Sequence, residues 1–192
     1  MSTEEASAAS DSLMESQAAA AAAVDPSVEA ASESLSFDDF YRTEFRHVLG
    51  LAFVLTGNQW VAEETAQDAF TAAFRRWHSI VAYDSPGAWV RRVACNRAAS
   101  VVRRRVREAK ALMRLVGRTQ SYLELDEGDE AFWHAVRRLP ARQAHVVALH
   151  YLEDYSVRDI AEVLDCSEGT VKTHLSRARH AIARQLQLED AE

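Results

Sequence analysis

The 192-residue chain contains only two cysteines, three prolines and six glycines. Cys95 and Cys166 stand far apart and form no CxxC pair, so neither a disulfide framework nor a zinc site is expected, and a reducing cytoplasm fits. No apolar run approaches the ~20 residues of a membrane span. The N-terminus lacks the basic and apolar segments of a secretory signal. With few helix breakers and few strand-like alternations, the sequence predicts an all-α protein.

Charge is distributed unevenly along the chain, whose formal net charge is -7. Residues 1–39 hold nine acidic side chains and no basic one, whereas residues 40–192 hold 20 acidic and 22 basic ones. Between Arg91 and Arg118 there are ten basic residues and one acidic residue. Such a basic stripe is typical of a protein that binds phosphates. A solvated arginine-rich helix is the alternative explanation.

Residues 1–35 consist mostly of alanine, serine and acidic residues. They offer no apolar residues at a core-forming spacing, so we predict a disordered acidic tail. Two roles stay open for it: a segment that competes with DNA for the basic stripe, and a passive extension.

The segment from Tyr155 to Leu186 predicts two helices joined by a tight turn. Ser156 and Asp159 have the spacing of a capping box that opens the first helix. The second helix follows a turn at residues 165–166, and its apolar positions recur at one helical face: Val171, Leu175, Ala178 and Ile182. Its other face is polar. This pattern indicates a helix-turn-helix, the unit that places a recognition helix in the DNA major groove, although an ordinary helical hairpin shows a similar pattern.

The first half of the ordered chain predicts three helices. The first runs from about Phe37 and ends at Gly57, and the second extends from about Trp60 to Trp77 with Phe74 and Trp77 on its buried side. A loop follows, and Pro86 is placed to open the third helix. The third helix carries a buried stripe and a separate polar ridge: Arg92, Asn96, Ser100 and Arg103. Arginines bind phosphates and an asparagine can bond a base edge, so the ridge suits nucleic acid.

Changes of composition predict four parts of the chain: a tail over residues 1–35, a helical domain over 36–107, a linker over 108–131 and a second helical domain over 132–187. The linker is basic at first and then acidic, which is typical of a boundary between domains. Two helical domains, each with a basic polar face, make a two-point DNA binder plausible on physical grounds.

Three segments, in this order, resemble the extracytoplasmic-function (ECF, group IV) sigma factors of bacterial RNA polymerase, in particular sigma-E-like proteins. AEETAQDAFTAAFRRW resembles the part of region 2 that docks on the polymerase. SPGAWVRRVACNRAASVVRRR resembles the part that melts and reads the minus-ten element, and LPARQAHVVALHYLEDYSVRDIAEVLDCSEGTVKTHLSRAR resembles region 4, which reads the minus-thirty-five element. The resemblance covers about residues 37–186.

The resemblance implies roles for particular residues. The positions that face the polymerase would be Glu63, Glu64, Gln67, Asp68, Phe70 and Arg75. The minus-ten element would be bound by Tyr83, Asp84 and Ser85 in a base-capturing loop and by Trp89, Arg92, Asn96, Arg97, Ser100 and Arg103 on the following helix. The minus-thirty-five element would be read by Thr170, Lys172, Thr173, His174 and Arg177. His174 departs from the basic residue expected at that position.

The implied partners are promoter DNA, core RNA polymerase through its beta-prime clamp and beta flap, and an anti-sigma factor. The resemblance implies no cofactor, no metal and no enzymatic activity. Two other interpretations were weighed. An operator-binding regulator explains the helix-turn-helix but gives the polar ridge no task. A metal protein or enzyme finds little support, because His145 and His150 do not share a helical face and no phosphate loop or nucleophile elbow is present.

Overall fold

The computed structural model describes residues 35–112 and 127–189, and within these ranges the chain forms eight helices and no strand. The helices are α1 (Phe37–Thr56), α2 (Gln59–Phe74), α3 (Trp77–Ile80), α4 (Pro86–Leu112), α5 (Glu127–Arg137), α6 (Ala141–Tyr151), α7 (Val157–Leu164) and α8 (Glu168–Glu189). The predicted tail up to residue 34 and residues 113–126 of the predicted linker lie outside the described residues. The all-α prediction is confirmed. No helix within the described ranges combines the length and apolar character needed to cross a bilayer.

The ends of α1 follow directly from its sequence. Ser36 precedes the helix, and its hydroxyl accepts a hydrogen bond from the Asp39 amide at 3.1 Å. Gly57 ends the helix in the left-handed conformation at φ 65°, where its amide donates to the Phe53 carbonyl. A β-carbon at Gly57 would also come within 2.8 Å of the Arg137 side chain. The backbone conformation therefore favours glycine here, and any larger residue would also have to displace the Arg137 side chain.

The second helix ends earlier than the sequence indicates. α2 stops at Phe74, and a separate short helix, α3, begins at Trp77 where a loop was expected. The chain turns because Trp77 and Ile80 both pack inward: the Trp77 ring lies 4.8 Å from the Phe40 ring, and Ile80 is buried. Phe74 was predicted on the buried side, and this is wrong, since 64% of it is exposed.

The α4 helix begins at Pro86 as expected, with the Ser85 hydroxyl accepting from the Ala88 amide at 3.2 Å. Its inner face buries Val90, Ala94 and Ala98. The predicted buried stripe weakens toward the C-terminus, where Val101 and Val102 are only half-buried. This end of α4 therefore leaves apolar surface open.

The helix-turn-helix is present as α7 and α8. Ser156 and Asp159 form the predicted capping box at the start of α7. Asp165 closes α7 in the left-handed conformation at φ 53°, which aspartate tolerates better than most residues. The Ser167 hydroxyl then accepts from the Thr170 amide at 3.2 Å and opens α8.

The two predicted helical segments pack against each other through one apolar core. Helices α1 and α4 contribute to the same buried cluster as α5 to α8, with members that include Leu51, Leu55, Ala98, Trp133, Leu149 and Ile160. A second cluster lies within the first segment and is rich in aromatic rings, among them Phe40 and Phe70. The residues from Ser36 onward consequently form one compact unit.

Replacing Leu51 by alanine tests whether this core is shared. Leu51 is fully buried in it, so the loss of its side chain should lower the free energy of unfolding by about 2–5 kcal/mol. Native-state hydrogen exchange should show faster exchange in α6 as well as in α1. Faster exchange confined to α1 to α4 would contradict a common core.

Candidate nucleic-acid interface

A polar ridge runs along the outer face of α4. Its four members are exposed, as the sequence predicts: Arg92, Asn96, Ser100 and Arg103. The Ser100 hydroxyl donates to the Asn96 carbonyl at 2.9 Å and accepts from the Arg103 guanidinium at 3.0 Å. These bonds order the ridge while leaving its cationic groups accessible to phosphates.

The loop before α4 lines one wall of a cavity of about 460 Å³. The structure brings together there five of the residues that the resemblance assigns to the minus-ten element: Tyr83, Asp84 and Ser85 of the loop, and Trp89 and Arg92 of the following helix. Glu162 and Val163 of α7 line the same cavity. The helix-turn-helix therefore forms part of the wall of the candidate base pocket.

The second polar surface lies on the first turns of α8. Thr170, Lys172, Thr173 and Arg177 are exposed there, whereas His174 is half-buried. The Thr173 hydroxyl donates to the Gly169 carbonyl at 2.8 Å, and the Lys172 ammonium lies 3.6 Å from the Glu168 carboxylate. The exposed face has the hydroxyls and cations that contact bases and phosphates in the major groove.

The residues implied in polymerase contact are mostly on the outer face of α2 and at its end. Glu64, Gln67, Asp68 and Arg75 are exposed, and Glu63 is half-buried. Phe70 does not belong to this surface, because it is 2% exposed and packs against the rings of Phe40, Tyr41 and Phe45. The family resemblance assigned it to the outer surface, but its ring packs beneath α2 in the aromatic core.

One ion pair joins the α2 surface to the α4 ridge. The Arg97 guanidinium lies 2.6 Å from the Asp68 carboxylate, and both side chains are about half exposed. The structure thus places a residue implied in promoter binding in direct contact with one implied in polymerase binding. Solvent screening keeps the energy of such an exposed pair small.

A buried ion pair was missed in the sequence. Arg91 is buried, and its guanidinium contacts the Glu44 carboxylate of α1 at 2.6 Å and the Glu153 carboxylate, just after α6, at 2.7 Å. The Tyr155 ring lies over the same guanidinium at 5.4 Å. A signal was available: Arg91, Cys95 and Ala98 share one buried helical face, so a charge at position 91 needed a partner.

The ionisation of Arg91 is maintained by these carboxylates. Burial by itself would lower the pKa of Arg91, but Glu153 and Glu44 more than offset it, so the pKa lies above its ordinary value. Arg91 therefore stays charged. Since Glu44 belongs to the first half and Glu153 to the second, this cation ties the two halves together.

The neighbouring arginine makes a second bridge between the halves. The Arg92 guanidinium of the ridge lies 2.9 Å from the Asp165 carboxylate in the turn of the helix-turn-helix. Both side chains are largely exposed, so the pair is weak beside the Arg91 contacts. The pair nevertheless engages Arg92, a member of the polar ridge that the resemblance assigns to the minus-ten element.

Burial also sets the ionisation of two groups with catalytic potential. It raises the pKa of the Cys95 thiol to about 12 and lowers the pKa of His145 to about 4, so both are neutral at pH 7. Within the described residues, no three or more histidine, cysteine or acidic side chains are grouped as metal ligands.

Comparison with known proteins identifies the family of both halves of the chain. The family described as sigma-70 region 2 matches residues 40–108, and the family described as sigma-70 region 4 matches residues 129–182. The fold is thus that of a bacterial RNA polymerase sigma factor.

Several curated relatives indicate which class of sigma factor this chain belongs to. The ECF sigma factor SigM of Mycobacterium tuberculosis is 29% identical over 81% of this chain and 80% of its own length. The sigma-E factor of Streptomyces antibioticus is 28% identical over 82% and 88%, and the ECF sigma factor SigW of Bacillus subtilis is 25% identical over 77% and 86%. The chain belongs to the ECF sigma factors. Its function is to direct promoter-specific initiation of transcription by RNA polymerase.

A solved structure has the same fold. The sigma factor RpoE of Bartonella quintana, in its complex with the anti-sigma factor NepR, superposes with a TM-score of 0.63 at 24% identity. The match covers 79% of this chain and 96% of that one.

Charge reversal at Glu153 tests the role of the buried pair. Replacing Glu153 by arginine places a second cation against Arg91, so the two halves should separate and the radius of gyration measured by small-angle X-ray scattering should rise. Adding Arg91→Glu together with Glu44→Gln, which removes the second carboxylate from beside position 91, should restore compaction. Arg42→Glu, which breaks an exposed pair within α1, should leave the radius unchanged. An unchanged radius in Glu153→Arg would show that the pair does not hold the halves together.

Proposed function

We propose that this sigma factor opens promoters by binding the minus-ten strand along α4 while α8 reads the minus-thirty-five element and α2 docks on core polymerase. The observation that carries the proposal is that the exposed ridge from Arg92 to Arg103 runs directly from the cavity formed by the 83–85 loop. A strand whose phosphates follow the ridge would present its bases to that cavity.

The cavity has properties suited to an unpaired base. Its volume of about 460 Å³ lies within the range of about 300–1,000 Å³ for small-ligand pockets. Tyr83 and Trp89 offer aromatic faces, and stacking contributes about 1–3 kcal/mol per base. Asp84 and Ser85 supply hydrogen-bonding groups. Together these contacts can offset the few kcal/mol that flipping a base out of the duplex costs.

Binding both promoter elements at once requires the two halves to separate. Positions minus ten and minus thirty-five are about 25 base pairs apart, or about 85 Å of duplex at about 3.4 Å per step. In this structure Asp165, three residues before α8, contacts Arg92 on the minus-ten ridge. The compact arrangement is therefore a closed state, and we propose that docking on polymerase opens it.

The closed state also suggests how the factor is kept silent. RpoE, which shares the fold, was solved in complex with an anti-sigma factor. We propose that a comparable partner holds this chain in its closed arrangement in the cytoplasm. In this scheme the protein is not an enzyme, since polymerase carries out the chemistry.

Replacing Asn96 by alanine removes the base-bonding amide of the ridge. Polymerase binding should be unaffected, but promoter opening should fall, because the unpaired strand loses a specific contact. Permanganate footprinting of promoter thymines should show reduced reactivity, whereas Gln187→Ala, an exposed amide late in α8, should not change it. A normal footprint with Asn96→Ala would exclude the proposed strand path.

Replacing Arg177 by alanine tests the recognition helix. If Arg177 reads a base, promoter affinity of the holoenzyme should fall by about 1–3 kcal/mol; if it holds a phosphate, the slope of log K against log salt should decrease by about one. Fluorescence anisotropy over a salt series distinguishes the two. Arg42→Ala removes the same charge from α1 and should change neither the promoter affinity nor the salt slope. No effect of Arg177→Ala would mean that α8 is docked differently.

Run-off transcription tests the function as a whole. Purified core polymerase should start transcripts at defined genomic sites only when this protein is added. DNA binding without polymerase binding and without transcripts would favour the operator-binding regulator instead.

A further inference from the structure

An open cavity of about 580 Å³ lies where the last turns of α4 meet the second half of the chain, away from the promoter-binding cavity. Its walls are largely apolar and are formed by both halves: Leu55, Ala98, Val102 and Val106 from the first, and Leu139 and Ala144 from the second. Val106 is 48% exposed, which is unusual for a valine beside a core. This is the apolar surface that α4 leaves open beyond Ala98.

The edge of the cavity carries three arginines, Arg103, Arg107 and Arg137. None of them forms an ion pair with a carboxylate from residues 35–108 or 129–187, whose side chains the structure describes. Burial lowers the pKa of Arg137, and the opposing influence of the Glu130 charge does not make up for the lost hydration. His145 also lines the cavity and is neutral, so the positive charge lies with the arginines alone.

We infer that this cavity binds an amphipathic carboxylate, with an aliphatic body against the walls and its carboxylate beside Arg107 and Arg137. The volume lies in the range of small-ligand pockets. Two turns of a docked α-helix about 10 Å across would need roughly 850 Å³, more than the cavity provides. A nucleic-acid strand would set phosphates against apolar walls, which the desolvation of charge disfavours.

Binding at this place favours the closed state. The ligand contacts both halves, so separation of the halves removes half of its site, and a ligand at about 100 times its Kd shifts the closed-to-open ratio by about 100-fold. Arg103 belongs to the promoter-binding ridge as well, so ligand and promoter compete for it. This regulatory consequence rests on the proposed function, whereas the binding itself does not.

Isothermal titration calorimetry of the full chain with dodecanoate, below its micelle concentration, tests the site. Dodecanoate should bind with a stoichiometry of one, and dodecyltrimethylammonium, which has the same chain and the opposite charge, should bind at least tenfold more weakly. Arg107→Met should weaken dodecanoate binding by about tenfold. Arg105→Met, an exposed arginine two residues away that does not line the cavity, should leave it unchanged. No binding, or equal binding of the two amphiphiles, overturns the proposal.

A second variant fills the cavity. Ala141, half-buried at the start of α6, lines it, so Ala141→Trp should abolish dodecanoate binding while the helical circular dichroism and melting temperature are retained. Unchanged binding in a folded Ala141→Trp protein would place the amphiphile elsewhere and overturn the site. If this variant does not fold, the comparison of Arg107→Met with its control Arg105→Met still tests the site.

The regulatory role has its own readout. Dodecanoate should reduce run-off transcription by the wild-type factor and have at least tenfold less potency on Arg107→Met. If dodecanoate binds but leaves transcription unchanged, the regulatory role is overturned. Transcripts that depend on this factor in the absence of dodecanoate would still support the proposed function.

Discussion

The compact arrangement of the two halves depends on the ion pairs that the buried Arg91 guanidinium forms with Glu44 and Glu153. Two carboxylates, Glu44 and Glu153, approach it from different halves of the chain, where little solvent screens the charges. A buried arginine without partners would cost several kcal/mol, so once the halves close, Arg91 and Glu153 must remain together. Opening the molecule exposes both groups to water, which rehydrates them and limits the energy lost. The pair therefore makes closure specific without making it irreversible.

Around this contact, the surfaces that we propose to bind promoter and polymerase are partly occupied by the protein itself. Arg92 is paired with Asp165, and α7 forms part of the wall of the candidate base pocket. Arg97 is paired with Asp68 on the candidate polymerase surface. Each of these exposed pairs is weak, but they lie where promoter or polymerase would bind. In the proposed scheme, partner binding and opening of the halves are coupled through shared residues, and a ligand in the cavity beside Arg107 would act on the same equilibrium.

Local structure was predictable where local interactions decide it. The capping box at Ser156 and the stop at Gly57 depend on residues within four positions along the chain, and the structure has them as expected. The break between α2 and α3 was missed because it depends on where Trp77 and Ile80 find their core partners, which lie in α1 and α4. Phe70 was misplaced because the family resemblance assigned it to the outer surface, whereas its helical spacing puts it on the same side as Ala66 and Ala73, where the aromatic rings of α1 cover it.

The sequence by itself determined the helical class, the helix-turn-helix, the polar ridge on α4 and the family, because hydrophobic periodicity, helix caps and motif sequences are local properties of the chain. Only the tertiary structure decided that the two halves share a core, that Arg91 is held between Glu44 and Glu153, and that an apolar cavity bordered by arginines lies between α4 and α6. These features join residues that lie on different helices, far apart along the chain. Their contact depends on how the helices pack, and the spacing of residues within one helix does not predict which helices pack together.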